Sequence, residues 1–139
     1  MIMTRPIAQL VGELLDAWNA HDVELAATFY APDYVGVDVG QAAPQHGPRR
    51  RCAVLASYIR AFPDVHFSGE TIIEGNRATL IWTMCGTHLG TFMRIPPTGR
   101  RVEVRGVSIL TITDGKVQHS LNIWDTAGLL RGLGLLPDL

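Results

Sequence analysis

The sequence is short of the residues that would announce metal, disulfide or polyanion chemistry. Its two cysteines, Cys52 and Cys85, make neither a metal spacing nor a disulfide framework, and no other thiol is present to pair with them. That excludes a cysteine-built metal centre and fits a reduced, cytoplasmic chain. Charge is scarce as well, with 18% charged residues and a net charge of −1. No nucleic-acid or other polyanion partner is therefore implied. The one basic run, Arg49-Arg50-Arg51, follows a proline and leads into a helical pattern. It reads as a solvated helix start, although cations are unfavourable at that end of a helix. No apolar run reaches the roughly 18 residues of a membrane span, and the N-terminal stretch lacks a basic segment leading into an apolar core. The expectation is a chain that neither crosses a membrane nor is exported.

What is there is apolar and patterned. Hydrophobic residues make up 47% of 139 positions, which describes a single domain, 1–139, that buries roughly two thirds of its unfolded surface. Ile7, Leu10, Val11, Leu14, Leu15 and Trp18 share one face of a helix, with Thr4 as its cap and Pro6 near its first turn. Asp22 can cap a second short helix that Pro32 ends, and residues 34–39 read as a short strand before a loop at 40–48. A third helix over 49–61 buries Cys52, Leu55, Ala56 and Ile59. After Phe62-Pro63-Asp64 the pattern changes to strands at 65–74, 77–88, 90–94, 101–113 and 116–124. Asp114-Gly115 is a hairpin signal, Ile95-Pro96-Pro97-Thr98-Gly99 is a stiff turn, and Asp125 caps a short apolar helix. Helices first and a meander after them predict an α+β fold with helices on one face of an antiparallel sheet and a pocket between the layers.

Several fragments, in this order, carry a family resemblance: Trp18-Asn19, Tyr30-Ala31-Pro32-Asp33-Tyr34, Ala61-Phe62-Pro63-Asp64, Gly86 through Phe92, Ile95 through Arg100, Asp114-Gly115-Lys116-Val117, and Asp125 through Gly134. Together they resemble the SnoaL-like polyketide cyclases of the NTF2-like superfamily, and they span nearly the whole chain. The resemblance implies a cone-shaped α+β barrel with three N-terminal helices packed on a curved antiparallel sheet, often oligomeric. It also implies an apolar pocket for a polycyclic aromatic intermediate and no metal or organic cofactor. The family's best-understood reaction is an intramolecular aldol ring closure. An Asp takes a proton from an activated carbon and returns it to the carbonyl oxygen.

Carried over residue by residue, the aldol Asp falls on Asn122, eight positions after Asp114. A carboxamide cannot accept and return that proton at neutral pH. An Asn of the aldol cyclases falls on Gly36, a Gln on Gly106 and a His on Ser108. Strand parity then indicates what else faces inward: Ser120 and Trp124 with Asn122, and Tyr34 and Asp38 with Gly36, while His119 points away. Asp38 is either the replacement carboxylate or an exposed strand-end acid. His88, on one strand face with Leu80, Trp82 and Met84, is either a polar group at the pocket or a buried structural histidine. His66 and His119 have no partner that the sequence identifies. Trp82, Met84, Trp124, Phe92 and Tyr58 line the pocket or make plain core. Ser108 and Asn122 can hydrogen-bond a quinone or phenol oxygen. The candidate catalytic set is therefore Asp38, Asn122 and His88, and the candidate substrate contacts are Ser108, Trp82, Met84, Trp124 and Tyr34. Three functions fit: a cofactor-independent cyclase, an oxygenation component of the same pathways, and a non-catalytic carrier of a small aromatic molecule. The apolar C-terminal segment favours a homodimer or higher homo-oligomer.

Overall fold

A computed structural model describes residues 5–138. The chain runs α1 (Ile7–Asn19), α2 (Val23–Ala27), β1 (Tyr30–Asp38), β2 (Gln45–His46), α3 (Pro48–Ala61), β3 (His66–Glu74), β4 (Arg77–Thr87), β5 (Arg101–Thr113), β6 (Lys116–Trp124) and α4 (Thr126–Gly132). The helices pack on one curved, unclosed sheet of six strands in the order β2-β1-β6-β5-β4-β3. β3 to β6 form the expected antiparallel meander. β1 departs from it, because it lies parallel to β6, with Val35 beside His119 and Asp38 beside Asn122. The sheet is therefore mixed. The return path that permits the parallel pair is the long excursion through β2 and α3.

The helix ends follow local chemistry. The Asp22 carboxylate accepts a hydrogen bond from the Leu25 N–H at 3.0 Å, and that of Asp125 accepts one from Gly128 at 2.8 Å, so each satisfies an orphan donor of a first turn. At α1 the capping position belongs to Pro6, with no side-chain cap; the cap assigned to Thr4 lies outside the described residues. α3 starts after Gly47 at φ 85°, with Pro48 in its first turn. α2 is shorter than expected, since Phe29 leaves the helix and Tyr30 already begins β1.

The strand expected at 90–94 is absent. Residues 88–100 form a loop whose only ladder element is the Phe92–Ile95 bridge, closed by Met93 and Arg94 at φ 51° and 63°. Two consecutive positive φ values describe a tight hairpin turn, which leaves no length for a strand. The loop is tied down instead by its N–H groups: Leu89 and Gly90 both donate to the carbonyl of Ala61, at 2.9 and 3.0 Å. Asp114-Gly115 forms the anticipated hairpin turn, both residues at positive φ.

The core lies between α1, α3 and the inner face of the sheet. Leu10, Val11, Leu14, Ala17 and Trp18 give α1 its buried stripe, and Cys52, Leu55 and Ala61 that of α3, with Ala56 and Ile59 only half-buried. Trp18 meets Phe67 edge-on at 5.5 Å, and Phe67 meets Trp82 at 6.3 Å. This aromatic row carries the helix layer across the strands and forms one wall of a cavity.

Candidate active site

The cavity lies between α1, α3 and the inner sheet face and is open to solvent; with the solvent in its mouth counted it spans about 650 Å³. Its walls are apolar, from Leu14, Trp18, Phe67, Leu80, Trp82 and Trp124, and its polar atoms come from Asp38, Arg51, Ser108 and Asn122 with the Tyr30 and Tyr58 hydroxyls nearby. Tyr58 and Trp124 also border a second, open pocket edged by Phe92, Met93, Arg94 and Arg60.

Those polar groups form a connected floor. Asp38 is 5% exposed. Its Oδ1 accepts a hydrogen bond from Asn122 Nδ2 at 2.7 Å and lies 4.0 Å from Arg51 Nη1; its Oδ2 accepts from Gln45 Nε2 at 2.9 Å. The short Asp38–Asn122 bond is a direct product of the parallel β1/β6 register, which sets the two residues side by side. Asn122 Nδ2 also donates to Ser120 Oγ at 3.2 Å, and Ser120 is hydrogen-bonded to the Tyr34 hydroxyl. With both amide hydrogens used, the Asn122 side-chain orientation is fixed by its neighbours. Across the next strand pair, Ser108 lies opposite Asn122, and its Oγ accepts from Trp82 Nε1 at 3.0 Å. The Ser108 hydroxyl hydrogen is left for a ligand.

Arg51 is the cation of this floor. Its guanidinium lies 4.8 Å over the Trp18 ring and its side chain is 12% exposed. Burial works against its charge, but Tyr30, Tyr34, Asp38 and Tyr58 outweigh that and raise its pKa. Burial in turn pushes Tyr30 and Tyr58 up to about 12 despite Arg51, and raises Tyr34 too. The phenols therefore stay neutral, and the ionic character of the floor rests on Asp38 and Arg51.

The structure brings together most of the candidate residues and separates two of them. Asp38, Asn122, Ser108, Trp82 and Trp124 all line the cavity. Tyr34 is fully buried behind it and reaches Asn122 through Ser120. Met84 is 3% exposed in the core, opposite Phe67 and Val104, and is not a lining residue. His88 is not one either. It is fully buried, packed against Phe62 at 5.4 Å, and its Nδ1 accepts the Thr98 N–H at 3.1 Å with Thr98 Oγ1 at 3.0 Å. The histidine placed with the catalytic set is thus a clasp of the 88–100 loop. His66 and His119 are exposed.

Sequence reading missed Arg51 and Gln45. The basic run reads Arg51 as solvated, yet Arg51, Leu55 and Tyr58 recur at i, i+4 and i+7, so helical periodicity puts it on the inward stripe. Gln45 carried no signal, since its place depends on the short β1–β2 pairing.

Two glycines explain the shape of the walls. A Cβ on Gly36 would collide with the Tyr34 phenol, its Cζ at 2.9 Å, and one on Gly106 with the Trp82 indole, its Cε2 at 2.6 Å. The space that larger residues would take at these positions is filled by the neighbouring rings. Among the described residues no group of three or more His, Cys, Asp and Glu side chains converges, and no helix is long and apolar enough to cross a membrane.

A curved α+β sheet with helices over one face and a mostly apolar cavity floored by a carboxylate, a carboxamide and an arginine defines a small-molecule enzyme scaffold of the NTF2-like type. The SnoaL-like polyketide cyclase family model matches residues 8–133, and the chain belongs to that family. It is 28% identical over 134 residues to the aklanonic acid methyl ester cyclase DauD of Streptomyces sp. strain C5, covering 93% of this chain and 82% of DauD. It is 28% identical over 124 residues to the nogalonic acid methyl ester cyclase of Streptomyces nogalater, covering 87% of this chain and 92% of that one. Among solved structures it is similar to AclR, a proposed hydroxylase from Streptomyces galilaeus, with a TM-score of 0.84, 30% identity, and coverage of 95% of this chain and 87% of that one.

Proposed function

We propose that this chain, acting as one catalytic domain, is a cofactor-independent cyclase for a polycyclic aromatic polyketide or related natural-product intermediate, with Asp38 as its acid/base. One observation carries the reading: a buried carboxylate lines the cavity, on the strand beside the position where aldol cyclases carry theirs, hydrogen-bonded to Asn122 at 2.7 Å. The similarity to two methyl ester cyclases supports the substrate class.

In this mechanism the aromatic part of the substrate lies among Trp18, Trp82 and Trp124. Asp38 keeps an unused lone pair on each oxygen beyond the bonds from Asn122 and Gln45, and takes a proton from a carbon flanked by carbonyls. The Ser108 hydroxyl holds the enolate oxygen. The enolate carbon attacks a ketone of the same molecule, one carbon–carbon bond forms, and the proton passes from Asp38 to the new alkoxide. Asn122 orients the carboxylate and takes no proton. Asp38→Asn therefore abolishes ring closure of an anthraquinone-fused keto methyl ester under anaerobic conditions while ligand binding persists; full activity of the variant removes Asp38 from the mechanism.

A second reading is oxygenation, favoured by the similarity to AclR together with the missing aldol Asp. Oxygen uptake that needs both substrate and a reductant selects it over cyclisation. Binding without turnover under either condition leaves a carrier.

The enzyme acts in the cytoplasm as a homodimer or higher homo-oligomer. Support comes from the outer sheet face, where parity opposite to the cavity residues puts Ile81 beside Val107, Val107 beside Ile123 and Ile109 beside Leu121, with Ile123 45% exposed. Val107→Lys shifts the sedimentation coefficient to that of a monomer; an unchanged value moves the interface elsewhere.

A further inference from the structure

We infer that Gln45 is a positioning residue for ring closure: it holds the second oxygen of the Asp38 carboxylate and so fixes the plane in which that carboxylate meets the substrate's proton. This rests on the acid/base reading of Asp38 above and adds the residue that aims it.

Asp38 closes β1, which lies between β6 on one side and β2 on the other. Each neighbour sends one amide to it: Asn122 Nδ2 donates to Oδ1 at 2.7 Å, and Gln45 Nε2 donates to Oδ2 at 2.9 Å. Arg51 Nη1, 4.0 Å from Oδ1, is beyond hydrogen-bond distance and fixes no orientation. One bond alone leaves a carboxylate free to swing about it; the second, on the other oxygen, sets its plane. The β1–β2 register makes the reach possible. Gln45 pairs with Gly36, so Asp38 is its diagonal neighbour on the same face, a separation that a long side chain spans.

The amide has no other hydrogen-bonding use in the structure. Gln45 is 8% exposed, lines neither of the two pockets described, and joins the sheet through its backbone. Its Oε1 is buried without a partner, which destabilises the fold, and a methionine would fill the same length without that cost. Turning the amide over would set Oε1 against Asp38 Oδ2. Packing alone therefore favours an apolar side chain at position 45, and what the amide supplies is the bond to Asp38.

The test is steady-state ring closure of the anthraquinone-fused keto methyl ester under anaerobic conditions, with kcat and KM measured separately. Gln45→Met keeps the length and removes the donor. It lowers kcat by about ten- to a hundredfold, the worth of a misaimed catalytic group, and leaves KM within about twofold, because Gln45 is no part of the cavity wall. Gln45→Asn keeps the amide but is one methylene too short to reach Oδ2, and gives the same split. The second variant also carries the test if the first does not fold, folding being verified by circular dichroism. A residue that only supported the fold would lower the amount of folded enzyme and leave its kcat alone. Native kcat in a folded variant overturns the inference, and so does a raised KM at unchanged kcat. If Asp38→Asn is inactive in the same assay, either result leaves the acid/base reading standing. Full activity of Asp38→Asn, or no turnover by the native protein, overturns that reading and the inference with it.

Discussion

Two buried polar clusters, one around His88 and one around Asp38, differ in what they are left to do. At His88 the Thr98 amide takes the imidazole Nδ1, and the Gly99 N–H donates back to the His88 carbonyl at 2.8 Å. Its Nε2 is unpartnered, but His88 lines neither of the two pockets described and packs with the Phe62 ring. At Asp38 the unpartnered atoms of Arg51 and Asn122 belong to residues that line the cavity. Burial of a polar side chain does not separate a clasp from a reactive group; spare hydrogen-bonding capacity at a cavity wall does.

The largest expected effect tests the reactive side of that contrast. Asp38→Asn lowers the rate of ring closure by about a hundred- to ten-thousand-fold, the usual worth of a positioned acid/base, while affinity for an aromatic ligand stays within a small factor. Next is the clasp. His88→Ala costs about 2–4 kcal/mol of stability in denaturant titration, because a fully buried ring and its bonds to the loop are lost together. Its turnover at a temperature where it is folded stays near that of the native protein. Loss of turnover in folded His88→Ala protein would break the comparison outright.

A smaller effect is expected at the wall. In Gly106→Ala the new methyl meets the Trp82 ring, and the Trp82–Ser108 bond is lost as the indole shifts. Stability falls by about 1–3 kcal/mol and ligand affinity falls with it; unchanged tryptophan emission would show that the ring had not moved. The smallest concerns alkali. Tyr30 and Tyr58, moved by burial from 10.0 to about 12, hold their protons in the folded state after the unfolded chain has lost them. Stability from these groups is complete below pH 10 and is lost as pH rises toward about 12, since the folded state then binds more protons than the unfolded. Phenolate absorbance that rises near pH 10 without unfolding would contradict the burial.

Legibility in the sequence followed the range of the interaction. The apolar stripe of α1, the Asp22 and Asp125 caps and the Asp114-Gly115 turn are decided within a few residues, and they stand as read. The inward facing of Asn122 and Ser108 followed from the family resemblance, and that of Asp38 from strand parity with Gly36. The parallel placement of β1 was not legible, because it depends on where the chain returns after α3. The 90–94 segment has the residues of a strand but no partner for its backbone, so the Ala61 carbonyl and a two-residue turn took it instead. Arg51 was misplaced by its company: two exposed arginines precede it, and composition outweighed periodicity.

The occupied glycines act as a ratchet on how this site can change. Where the resemblance to aldol cyclases calls for amide side chains, the phenol of Tyr34 and the indole of Trp82 occupy the room. Gly36→Asn or Gly106→Gln is blocked until the ring gives way, yet moving either ring first releases Ser120 or Ser108 from its hydrogen bond. Asn122→Asp alone sets a second carboxylate against Asp38 and restores none of the amides. No single substitution installs the aldol set, so the site's chemistry is held in place by the order in which its parts would have to be exchanged.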